Sequence, residues 1–114
     1  MPYISTKTNV SISKEKEQEL KVLLGKAIEN IPGKTERWLM LSFEDNCRLW
    51  FRGNADEPIA YIEVKLFGKA QPSAYKAMTE AICDIVEGEL NVPSSNIYVK
   101  YEEVSTWGWN GGNF

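Results

Sequence analysis

The chain has 114 residues, of which 43% are hydrophobic and 25% charged, and a net charge of −3. That composition describes one globular domain, residues 1–114, able to bury roughly two-thirds of its unfolded surface. It has no basic run for nucleic acid, no apolar stretch long enough to span a bilayer and no signal-peptide pattern. The default compartment is therefore the cytoplasm, although export without a signal peptide would leave no mark in the sequence.

Proline at position 2 opens the first predicted element. "YISTKT" (3–8) reads as a strand, and a proline is tolerated at a strand start, where its missing N–H costs little. Residues 13–33 read as a helix: Ser13 is a candidate N-cap, Glu15 and Glu17 suit the first turn, and Leu20, Leu23, Leu24, Ala27, Ile28 and Ile31 keep a helical period. Pro32-Gly33 stops it. "RWLMLSF" (37–43) is expected as a second strand, "EDN" as a turn, and "CRLWFRG" (47–53) as a short hairpin return.

The same order then recurs. "IAYIEVKLF" (59–67) alternates as a strand, and Pro72 suits the first turn of a second helix. Ala74, Tyr75, Met78, Ala81, Ile82, Ile85 and Val86 form its apolar stripe, with Gly88 and Pro93 near its end. "NIYVKYEEV" (96–104) is a further strand, and the tail "STWGWNGGNF" holds a last β segment. Two β-α-β units of matching length imply an α+β fold with an internal duplication: a four-stranded mixed sheet with two helices on one face.

Leu39, Leu41, Phe43, Ile62, Val64, Leu66, Ile97, Val99 and Tyr101 suit the helix-covered side of that sheet. The opposite set mixes Trp38, Met40, Tyr61, Phe67 and Tyr98 with polar Ser42, Glu63, Lys65 and Lys100. A solvated face should be mostly polar, so this half-aromatic face implies packing against other subunits.

Histidine is absent. That removes the Ser-His and Cys-His nucleophile systems and the commonest metal ligand. The α-amino group is then the remaining unperturbed acid–base group near neutral pH. Cys47 and Cys83 form no CxxC pair, suggest neither a disulfide framework nor a zinc site, and read as free thiols.

The duplication, together with "MPYI" at the start, "GK" at 33–34, "LFGKA" at 66–70 and "VPSSNIYVKYEEVSTWGWNGGNF" at 92–114, resembles the macrophage migration inhibitory factor and D-dopachrome tautomerase family of the tautomerase superfamily. The resemblance covers the whole chain. It implies a homotrimer with pockets between adjacent subunits, and keto–enol tautomerisation of an aryl 2-oxo acid such as phenylpyruvate. No metal or organic cofactor is implied.

The catalytic base implied is Pro2, a secondary amine once Met1 is removed. Lys34 matches the lysine that holds the substrate carboxylate, and Phe67 matches a position whose backbone N–H contacts substrate. Tyr98 matches a pocket tyrosine supplied by the adjacent subunit. Lys100 stands where the vertebrate cytokine has asparagine, either as a second pocket cation or as a solvated lysine. Trp38 and Trp107 match pocket-rim positions, Trp107 in place of a smaller aliphatic. Trp109 and Phe114 read rather as trimer-packing residues. The cytokine's CxxC is replaced here by "EPIAYIE", which removes that route to thiol–disulfide chemistry. A different class of function, cytokine-like binding to a cell-surface receptor, is also implied and leaves no chemical signature in the residues.

Overall fold

Alternating apolar residues need a surface to cover them, and the computed structural model, which describes residues 1–114, supplies two helices for the purpose. The strands are β1 (Pro2–Thr8), β2 (Met40–Glu44), β3 (Ala60–Phe67) and β4 (Ile97–Val104), joined in the order β2-β1-β3-β4. β1 pairs in parallel with β2, and β3 with β4; each parallel pair is spanned by a helix, α1 (Lys14–Ala27) or α2 (Pro72–Leu90). Parallel neighbours require such a crossover. The two halves meet along the antiparallel β1–β3 seam, which runs from Pro2 opposite Leu66 to Thr8 opposite Ala60.

The core lies between the sheet and the helices. Ile4, Ile62, Val64 and Leu66 point into it from the strands, Leu20, Leu24 and Ile28 from the first helical segment, and Met78, Ile82 and Val86 from α2. Each such side chain contributes about 1.5–3 kcal/mol through removal from water. Leu41, Phe43, Val99 and Tyr101 pack against the same cluster, as does Leu39 from outside the strands. The opposite sheet face is left bare: Met40 is 68% and Tyr98 62% exposed.

Local chemistry sets the element ends. Ser13 caps α1, its side chain accepting from the Lys16 N–H at 3.1 Å. The chain then tightens into a 3-10 turn at Ile28–Asn30, so the single helix expected over 13–33 is shorter. Gly33, at φ +82, makes the turn after it, and the Lys34 N–H bonds to the Ile31 carbonyl at 3.1 Å. Pro72 opens α2, and Asn91, between Gly88 and Pro93, ends it in the left-handed conformation with its N–H on the Glu87 carbonyl.

Two expectations are corrected. The second strand begins at Met40 rather than at residue 37, because Glu36–Trp38 forms a 3-10 turn with the Leu39 N–H on the Glu36 carbonyl at 3.1 Å. The run Trp-Leu-Met-Leu is apolar throughout and carries no alternation to mark where the strand starts. Trp38 is therefore on a turn and not on the sheet face. The segment 47–53 makes no hairpin strand: Asn46 and Arg52 have positive φ, and Phe51–Asn54 is an isolated bridge. The tail is a hairpin of β5 (Gly108–Trp109) and β6 (Gly112–Asn113), turned by Asn110 and Gly111, both at positive φ as a type I′ turn requires. Cys47 and Cys83 are free thiols.

The packing predicts a large contrast between core and helix surface. Ile82→Ala should cost about 2–5 kcal/mol by cavity formation, whereas Val22→Ala on the exposed face of α1 should stay within about 0.5 kcal/mol, both read from urea unfolding.

Candidate active site

The antiparallel seam ends at the N-terminus. Pro2 lies opposite Leu66, so Met1 falls beside Phe67, the last residue of β3. The Met1 carbonyl accepts from the Phe67 N–H at 3.1 Å. The Phe67 carbonyl in turn accepts from Lys34 Nζ at 2.9 Å. Three segments far apart in sequence thus converge on one strand end, and the lysine ammonium is pinned beside the chain's first residues. Gly68 follows with φ +92; a Cβ there would meet nothing within 4 Å. The glycine is needed for its left-handed backbone, not to make room for a neighbour.

The electrostatic consequence falls on the N-terminal amine. Burial, and then the Lys34 ammonium beside it, hold the Met1 amino group below its ordinary 8.0. Both effects disfavour a second positive charge at this spot. Any amine placed there is shifted toward the neutral, proton-accepting form.

A cleft of about 740 Å³ opens at the same place. Met1, Pro2 and Tyr3 form its floor, the segment from Arg37 to Leu41 one side, and Trp107, Gly108 and Trp109 of the tail the other. Trp38 and Trp109 meet edge to face at 5.1 Å, and the Arg37 guanidinium lies 5.2 Å above the Trp38 ring. Tyr3 Oη shares a 2.7 Å hydrogen bond with Ser42 Oγ, which ties the floor to β2. Beyond the cleft, Phe114 packs on Phe67 at 5.6 Å, and its N–H is held by the Trp107 carbonyl at 2.9 Å, so the tail is clamped against the strand end.

Of the residues singled out by sequence, Pro2, Trp38 and Trp107 line the cleft, while Lys34 and Phe67 stand at its N-terminal end through the contacts just described. Tyr98 and Lys100 do not join them within one chain. They lie on β4 opposite Tyr61 and Glu63, while Pro2 pairs with Leu66, further along β3 and on its other side. Tyr98 meets Phe51 edge to face at 5.0 Å. Lys100 is paired with Glu102 at 3.0 Å and Glu63 at 3.9 Å, and Glu102 holds its ammonium above the ordinary 10.5. Trp109, read from sequence as a packing residue, is part of the cleft wall. Arg37 was not anticipated at all; on a strand it would have been an ordinary solvated arginine, and only the turn at 36–38 brings it to the cleft. No three His, Cys, Asp or Glu side chains converge closely enough to hold a metal ion.

The comparisons with known proteins agree along the full length. The family model described as macrophage migration inhibitory factor matches residues 1–114. The chain belongs to the macrophage migration inhibitory factor family. It is 34% identical to Leishmania major MIF2, with a TM-score of 0.92 over 100% of this chain and 97% of that one. It is 32% identical to the macrophage migration inhibitory factor homologue of Prochlorococcus marinus, with a TM-score of 0.88 over 98% of each chain. It is 27% identical to macrophage migration inhibitory factor of Xenopus laevis over 116 aligned positions, covering 100% of this chain and 99% of that protein. The duplicated α+β fold is therefore that of the family's solved members, and the family assignment rests on the whole domain rather than on one motif.

The causes of the amine's shift predict its response to mutation. In the chain carrying Met1, Lys34→Met should raise the N-terminal amine back toward 8.0, and only part of the way, because burial is the larger cause. An NMR titration of the amine checks this; an unchanged value would show that Lys34 exerts no field there.

Proposed function

We propose that the protein is a keto–enol tautomerase of aryl 2-oxo acids, of the phenylpyruvate type, in which Pro2 is the general base once Met1 has been removed. The observation that carries the reading is the placement of the N-terminus in an aromatic cleft beside Lys34. While Met1 is attached, Pro2 nitrogen belongs to an amide and has no basic lone pair. Removal of Met1 turns it into a secondary amine in the cleft, where the burial and the lysine that lower the Met1 amine would act on it in the same direction and favour its neutral form. The same cleavage releases the Phe67 N–H, which the Met1 carbonyl otherwise occupies.

The steps follow from those positions. The Lys34 ammonium pairs with the substrate carboxylate. Neutral Pro2 takes the proton from the carbon next to the carbonyl. The freed Phe67 N–H, or Lys100 of an adjacent copy, stabilises the enolate oxygen as charge develops on it. Protonated Pro2 returns the proton to give the tautomer, so no atoms are lost or gained overall.

The reading includes a homotrimer. The exposed aromatic and apolar side chains of the second sheet face, Met40 and Tyr98 among them, support burial against further copies. In that assembly Tyr98 and Lys100 of one copy would complete the cleft of the next, which accounts for their distance from Pro2 within a chain.

The test is turnover of phenylpyruvate by protein whose N-terminus has been sequenced. Pro2→Gly, or a retained Met1, should lower kcat/KM by about 10²–10⁴-fold, the range for loss of a positioned general base. Full activity in either form would end the proposal. Sedimentation should show a particle of three chains at the concentration assayed.

A further inference from the structure

Arg37 is the only charged side chain among the residues lining the cleft. Its guanidinium has no carboxylate partner. The chain's ion pairs join Lys16, Lys76 and Lys100 to glutamates, and Arg37 takes part in none of them. Its neighbour Glu36 is turned away: that carboxylate lies over Gly25 of α1, in space that a Cβ at Gly25 would occupy. The nearest carboxylate in sequence is thereby removed from the guanidinium by the absence of one side chain on the helix.

The guanidinium also has an aromatic neighbour. It lies 5.2 Å from the centre of the Trp38 ring, and Trp38 is braced edge to face by Trp109 at 5.1 Å. A cation–π contact uses none of the guanidinium's N–H donors, and no side-chain hydrogen bond or ion pair engages them, so they are free to bind a carboxylate through two parallel hydrogen bonds. Lys34 holds the other end: the Phe67 carbonyl keeps its ammonium beside the N-terminus, away from the tryptophan wall, with donors left for the carboxylate next to the reacting carbon. The cleft therefore carries two separate cationic positions, one at the N-terminal amine and one on the tryptophan wall. An aromatic ring resting against Trp38, Trp107 and Trp109 would join them.

We propose that Arg37 is a specificity-determining residue, binding a second carboxylate on the ring end of the substrate, so that the cleft prefers dicarboxylic aryl 2-oxo acids to unsubstituted ones. The proposal deepens the tautomerase reading of the site and rests on it. Arg37 acts on substrate choice and takes no part in the proton transfer.

Binding of unreactive analogues tests it independently of turnover. Protein lacking Met1 is titrated with 3-phenylpropanoate and with 3-(4-carboxyphenyl)propanoate, read by tryptophan fluorescence. The dicarboxylate should bind about tenfold more tightly, the worth of one charge-assisted carboxylate contact. Arg37→Met should bring the two affinities within about twofold of each other, and Arg37→Lys should keep part of the preference as a point charge without the fork. The preference should shrink as salt is raised. Equal affinities in the unsubstituted protein, a preference that survives Arg37→Met, or binding of neither analogue would overturn the proposal. Phenylpyruvate turnover is measured on the same samples. Loss of turnover with the dicarboxylate preference intact would overturn the tautomerase reading and keep the assignment of Arg37; turnover without that preference would do the reverse.

Discussion

The pairing of Pro2 with Leu66, at the open end of the β1–β3 seam, is the constraint on which the site depends. β1 is an interior strand of the sheet, with β2 on one side and β3 on the other. Its register is held by Ile4, in the core between sheet and helices, and by Thr6 and Thr8, both buried, with the Thr8 hydroxyl donating to the Ile59 carbonyl. A slip of one residue would turn those side chains to the other face and bring Tyr3, Ser5 and Lys7 onto the core. The N-terminus is thus located by the whole sheet, although chain ends are ordinarily the least ordered part of a domain.

From that location the electrostatics follow. Phe67 offers its N–H to the Met1 carbonyl and its carbonyl to Lys34, so one residue's backbone aligns the chain start with a cation brought from the end of the first helical segment. The side chain of Phe67 has a separate task, packing against Phe114 to close the tail down. The tail hairpin then presents Trp107 and Trp109 to the floor. Burial and charge both act on the same amine because each element that buries it is tied to the others.

The two halves of the duplication have diverged in use. Each is a β-α-β unit with an apolar strand face on the common core. The first half supplies Pro2, Lys34, Arg37 and Trp38 to the cleft, whereas β4 of the second carries Tyr98 and Lys100 at a bare sheet face some distance away. In the homotrimer proposed above, the bare face of one copy would meet the cleft of the next.

Much was legible in the residues themselves. Periods of two and of 3.6 repeat in the same order through both halves, and this alone determined the α+β class, the duplication and the helix-covered core of Ile62, Val64 and Leu66. The absence of histidine pointed to an amine as the acid–base group, and the residues at 1–4, 33–34, 66–70 and 92–114 carried the family. What the tertiary structure decided is what depends on turns and on contacts across the fold. The 3-10 turn at Glu36–Trp38 moved Trp38 off the sheet and brought Arg37 to the cleft, in an apolar run with no alternation to reveal it. The Asn110-Gly111 turn carried Trp109 into the wall. The link from Met1 through Phe67 to Lys34 joins positions far apart in the chain, and no local pattern encodes it, because its geometry exists only once β1 and β3 have paired.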